Sequence, residues 1–161
     1  MMLLRKNKNT VYLSDEEAVG RFSATVYRVA LNMIKNETDV EDIYQEVFLR
    51  FVQRKQGFET LEHAKAWFIR VTINCCHDFF RGQKYDQELE VVMETYVTET
   101  KSDDIVEIVQ TLDKKYRMVI HLYYYEQYKI SEIATLLNEN ENTIKTRLAR
   151  AKKILKEKWE D

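Results

Sequence analysis

The chain of 161 residues has no proline and only three glycines. Tight hairpins depend on those two residue types for fixed and positive φ values, so an all-β sandwich or barrel has nothing to punctuate its strands. The chain is expected to be all-α. Hydrophobic residues at 45% against 32% charged supply enough apolar material for a buried core, and the length suits one medium domain or two small ones.

Hydrophobic spacing locates the helices. Phe22, Val26, Val29, Ala30 and Met33 share one helical face in a segment from about Arg21 to Lys35. A polar break at Asn36, Glu37 and Thr38 follows, with Thr38 read as the N-cap and Glu41 completing a capping box. Val40, Ile43, Tyr44, Val47, Phe48 and Phe51 then repeat the pattern until Gly57. A third helix is expected from about Glu62 to Arg81, stopped by Gly82. Its core face is Phe68, Val71, Cys75 and Phe79, with Cys76 incidental.

Between Tyr85 and Glu107 eight acids stand against the single base Lys101, with no clear core face. The segment reads either as a mobile linker or as a short helix from Leu89 to Tyr96 packed through Val91, Val92 and Met93. Further helices are expected at about Asp104 to Thr111, Lys114 to Tyr124, Ser131 to Leu137 and Glu141 to Lys158. The organisation is thus an amino-terminal segment over 1–20, a three-to-four-helix bundle over 21–83, a flexible acidic linker over 84–103 and a second small helical domain over 104–161.

The last helix pair has the form of a helix-turn-helix. Ser131 opens the first helix, small Ala134 admits the second, and Asn138 tolerates the left-handed conformation of the turn. Asn140 caps the second helix. On it Ile144, Leu148, Ala151, Leu155 and Trp159 line the packing side. Asn142, Thr146, Ala149, Arg150 and Lys153 lie opposite, with Lys145, Arg147, Lys152 and Lys156 on the flanks. From Thr143 to Lys158 there are seven bases and one acid, in a chain whose formal net charge is -2. Such segregated charge suits a major groove, where Arg bonds a guanine edge and Lys neutralises phosphate.

Two stripes in the first bundle are also candidates. Asp42, Gln45, Glu46, Leu49, Arg50 and Gln53 form the outward stripe of the second helix, with apolar Leu49 in its middle, either ordinary surface or a covered spot. On the third helix Arg70, Asn74, His77 and Arg81 fall in one ~60° sector beside Trp67. Arg and Asn suit base edges and phosphates, and an adjacent aromatic suits stacking on an unpaired base; the alternative is an exposed face with Trp67 in the core.

These stretches resemble a known family, the extracytoplasmic-function (ECF) group of sigma-70 RNA polymerase sigma factors, whose small members carry only regions 2 and 4. The likeness runs from about Phe22 to Trp159. The run Asp39-Val40-Glu41-Asp42-Ile43-Tyr44-Gln45-Glu46-Val47-Phe48-Leu49-Arg50 is similar to the stretch that grips the polymerase β′ clamp helices. The resemblance therefore implies Asp42, Gln45, Glu46, Leu49 and Arg50 as core-binding residues. Trp67 to Asn74 and Asp78 to Arg81 resemble the helix that recognises and opens the −10 element, implying roles for Trp67, Arg70, Asn74, His77 and Arg81. The loop Phe58 to Ala66 would hold a flipped-out base. Lys129 to Ala134 and Asn142 to Lys152 resemble the −35 reader, implying Asn142, Lys145, Thr146, Arg147, Ala149, Arg150 and Lys153. The departures are Leu112-Asp113-Lys114-Lys115 where a proline is common, Asn138 for the usual turn glycine, and acids Glu139 and Glu141 near the DNA-facing end.

The resemblance implies three partners: core polymerase through its β′ clamp helices and β flap, promoter DNA, and an anti-sigma factor. No catalysis, cofactor or metal is expected. Adjacent Cys75 and Cys76 cannot bridge within a helix. His63, His77 and His121 are scattered. Neither a signal peptide nor the ~18-residue apolar run of a membrane span is present, so cytoplasmic residence without membrane insertion is expected. Two rivals make different predictions. A regulator with a response or dimerisation domain would bind a palindrome without polymerase. A metal hydrolase would use Glu37, Asp39, Glu41, Asp42 and Glu46, but Glu41 and Glu46 are ~140° apart on the helical wheel and do not converge on one ion.

Overall fold

The computed structural model describes residues 9–82 and 104–160, with side chains from 107 onward in the second stretch. The acidic linker, whether coil or short helix, lies outside the described residues, as do the first eight. The chain separates into two compact units, 1–82 and 83–161. Each is described by itself.

The first unit is a three-helix bundle of α1 (Asp15–Met33), α2 (Glu37–Gln53) and α3 (Leu61–Gly82). The helix α1 begins six residues before the expected Arg21. Ser14 Oγ accepts the Glu17 amide at 3.1 Å and the Glu17 carboxylate accepts the Ser14 amide at 2.9 Å, a complete capping box. Asp15, Glu16 and Glu17 in the first turn suit the positive end of the helix dipole. The cap of α2 is Asn36, not Thr38. Asn36 Oδ1 accepts from the amides of Thr38 at 2.9 Å and Asp39 at 3.3 Å, which starts the helix before Thr38 can act. Gly57 does not end α2, whose C-cap is Arg54, and Gly82 belongs to α3 itself.

The bundle closes on Phe68, fully buried, whose ring meets Phe22 at 4.8 Å, Trp67 at 5.0 Å, and Phe48 and Phe51 both at 5.3 Å. Burying side chains of this size contributes ~1.5–3 kcal/mol each. The core face of α3 is broader than expected. Ala64, Ile69, Thr72, Ile73 and Cys76 are buried with Phe68 and Cys75, whereas Val71 and Phe79 are half-buried. Cys76 is therefore a core residue. A helix packed by both α1 and α2 buries more than one stripe, and that width is a property of the assembly.

The second unit holds α4 (Asp104–Gln110), α5 (Lys114–Ile120), α6 (Ile130–Leu137) and α7 (Glu141–Glu160). The expected helix to Tyr124 becomes α helix only to Ile120, followed by a π-helical turn over His121–Tyr125. The Glu126 amide reaches the His121 carbonyl at 3.0 Å, and Gln127 at φ 59° ends the element. His121 is not isolated: its Nε2 lies 3.3 Å from the largely buried Glu126 carboxylate, and its ring stacks on Tyr125. Arg117, also buried, donates to the Leu112 carbonyl at 2.9 Å and so ties the α4–α5 turn to α5. Burial pushes its guanidinium below the ordinary value, with Asp113 opposing the shift.

Candidate nucleic-acid interface

The turn before α7 is built by two asparagines. Asn138 sits at φ 53° and ψ 46° with its amide on the Ala134 carbonyl, and the Glu139 amide reaches the same carbonyl at 2.9 Å. Asparagine tolerates this left-handed geometry better than other side chains. Asn140 Oδ1 accepts the Thr143 amide at 2.8 Å and opens α7 as expected. The cap of α6 is Lys129, not Ser131: Glu132 Oε2 accepts the Lys129 amide at 2.8 Å, so the helix already includes Ile130.

Along α7, Ile144, Leu148 and Ala151 are buried and Leu155 half-buried. Trp159, expected on the packing side, is 60% exposed. Twenty residues of α7 reach ~30 Å, while α5 at seven and α6 at eight residues are far shorter. The last turns extend past α5 and α6, and there Lys158 hydrogen-bonds Thr111 after α4. Asn142, Lys145, Thr146, Ala149, Arg150 and Lys153 are all exposed on the other side. Arg147 is half-buried and bonded to Glu139 at 3.2 Å, so its guanidinium is shared with the turn. Lys152, on the flank, lies 5.6 Å from the Tyr123 and Tyr124 rings, and a hydrogen bond with Tyr124 holds its ammonium above the ordinary value.

In the first unit Leu49 is 50% exposed on α2, and Val52, which the sequence reading did not single out, is 55% exposed three residues on. Asp42 and Gln45 are exposed beside them. Arg50 is more than a surface charge. Its Nε donates to Glu46 at 3.0 Å and its Nη2 lies 3.7 Å from Asp78 of α3, which also binds Arg81 at 2.8 Å. These exposed pairs each contribute little to stability, ~0–1 kcal/mol, but they orient the side chains between the two helices. Cys75 lies under this network, its thiol pushed up to about 11 by burial against the partly offsetting Arg50 charge. On α3, Arg70, Asn74, His77 and Arg81 are exposed in one line.

Trp67 is half-buried: its ring lies 6.4 Å from Phe51 and 5.8 Å from Phe58. The Arg54 guanidinium sits 4.4 Å from the Phe58 ring centroid and 5.3 Å from that of Trp67. The sequence reading missed Arg54, because it follows the last periodic position of α2 and carries no helical signal. The expected base-holding loop Phe58 to Ala66 is shorter than supposed. Helix α3 already begins at Leu61, and Phe58 is buried. No group of three or more His, Cys, Asp or Glu among the described residues could hold a metal ion, and no described helix is long and apolar enough to cross a membrane.

Sigma-70 region 2 matches residues 18–85 and sigma-70 region 4 matches residues 102–155. The RNA polymerase sigma factor SigV of Bacillus subtilis is 33% identical over 135 residues, covering 81% of each chain. The chain belongs to the sigma-70 family. It is an RNA polymerase sigma factor that acts in transcription initiation, of the ECF type. The ECF sigma factor SigW of the same organism is 26% identical over 99% of this chain and 98% of its own. Among solved structures, the sigma factor RpoE from Bartonella quintana, crystallised with the anti-sigma factor NepR, shares the fold at a TM-score of 0.69. It is 18% identical and covers 88% of this sigma factor and 94% of its own chain.

Proposed function

We propose that this sigma factor works as two DNA-facing modules mounted on core polymerase: region 2 over 21–83, a linker over 84–103 and region 4 over 104–161. Asp42, Gln45, Glu46, Leu49 and Arg50 dock on the β′ clamp helices, with Leu49 and Val52 as the apolar centre that loses water. On α3, Arg70, Asn74, His77 and Arg81 meet the phosphates and base edges of the separated −10 strand, with Trp67 behind an extruded base. Asn142, Lys145, Thr146, Arg147, Ala149, Arg150 and Lys153 enter the −35 major groove, and region 4 also meets the β flap. Extruding a base costs a few kcal/mol, which capture by α3 offsets. The chain makes and breaks no bond, and it works in the cytoplasm beside the polymerase.

The observation that carries this reading is the exposed polar and basic ridge of α7, set behind a left-handed turn in a chain that is acidic overall. The Bartonella quintana relative was crystallised with an anti-sigma factor. A partner of that kind, covering the ridges of both modules, is our reading of how this chain is held inactive. The test of the −10 assignment is the double variant Arg70→Ala, Asn74→Ala. Holoenzyme should assemble and bind a −35 duplex normally, while promoter opening slows by about tenfold or more. Loss of core binding in parallel would contradict the assignment.

A further inference from the structure

Residues 9–12 run past the α2–α3 connection and pair with it. The Val11 amide donates to the Phe58 carbonyl at 2.7 Å, and the Phe58 amide donates to the Val11 carbonyl at 2.8 Å. This is a reciprocal antiparallel bridge, isolated from any sheet. It serves both backbone polar groups of a buried residue, and such groups are costly to leave unpaired. The approach is close enough to require glycine at position 57. A Cβ there would meet Thr10 Cγ2 at 2.3 Å and the Val11 carbonyl oxygen at 2.9 Å. From the other side Arg54 donates to the Gln56 carbonyl at 3.3 Å and the Gly57 carbonyl at 3.4 Å while its guanidinium lies over Phe58 and Trp67. Two independent staples thus converge on Phe58, and Phe58 packs on Trp67.

We propose that residues 9–12 act as a strap that fixes the 54–60 connection, and through Phe58 the ring of Trp67, in the conformation that receives the opened −10 strand. Val11 and Gly57 are positioning residues for promoter opening, and the inference rests on the −10 role assigned to α3 above. A connection already ordered before DNA arrives loses less entropy on capture, so the strap acts on the opening step and leaves recruitment alone. The segment lies outside the three-helix core, whose first cap is Ser14. Removing its hydrogen bonds therefore need not unfold the bundle.

Val11→Pro isolates the claim. Proline deletes the Val11 donor to the Phe58 carbonyl, and the extended backbone it favours in itself and in Thr10 suits a strap. Holoenzymes carrying the wild-type chain, Val11→Pro, Val11→Ile or a deletion of residues 2–12 are compared on a promoter with 2-aminopurine in the non-template −10 strand. Closed-complex affinity and opening rate are read separately. Val11→Pro and the deletion should slow opening about tenfold with closed-complex affinity, core binding and helix content unchanged, and Val11→Ile should match wild type. Opening at the wild-type rate by Val11→Pro overturns the strap alone. Parallel loss of helix content or core binding also overturns it, by making the segment part of the fold. If the wild-type holoenzyme binds but never opens the duplex, the −10 assignment falls and takes the strap with it.

Discussion

Gly20 lies inside α1 with nothing within 4 Å of where its Cβ would be. Glycine there has more backbone freedom to lose on folding than alanine, and no contact depends on its smallness. Gly20→Ala should stabilise the first unit by about 0.5–1 kcal/mol, read as a higher denaturant midpoint with an unchanged slope. Gly57 thus differs from the other two glycines: the close approach of residues 10 and 11 requires it, while a Cβ at Gly20 or Gly82 would meet nothing within 4 Å. Sequence spacing could not separate them, because what decides Gly57 is Thr10 and Val11, 47 and 46 residues away in the chain. Asn138 was legible, since its left-handed conformation follows from local chemistry. Arg117 was not, because burying a guanidinium on the Leu112 carbonyl depends on how α4 and α5 meet.

At the level of elements, the sequence located every α-helix among the described residues but not every end. Ser14 and Glu17 carry a capping box at the required spacing, so the true start of α1 was present in the sequence and masked by the weak apolar face before Phe22. The end of the packing face of α7 was not present in it. Trp159 has the right phase, yet it stays exposed although the neighbouring Lys158 hydrogen-bonds Thr111 after α4. The exposed polar and basic ridge of α7 was legible because it is defined by phase and charge, whereas the half-burial of Arg147 against Glu139 was not. Arg150, exposed at the centre of the ridge, is the residue we propose to bond a base edge. Arg150→Ala should cost ~1–3 kcal/mol at one −35 base pair and leave core binding intact, measured by holoenzyme affinity across a set of −35 substitutions. An equal loss on every sequence would make Arg150 a phosphate contact.

For the whole molecule, the formal net charge of -2 sets how the ridges can be used. Phosphate neutralisation by α7 is opposed by the acids elsewhere in the chain, so long-range attraction to DNA is small without a larger partner. Two modest surfaces gain strength when one scaffold holds both against the same duplex, because the second contact becomes intramolecular. We therefore propose that competence lies in the assembly with polymerase. The direct measurement is footprinting of a responsive promoter by the free chain and by reconstituted holoenzyme at matched concentrations and at stepped salt. Holoenzyme should protect both the −35 and −10 elements while the free chain protects neither; tight, salt-resistant protection by the free chain would contradict the account.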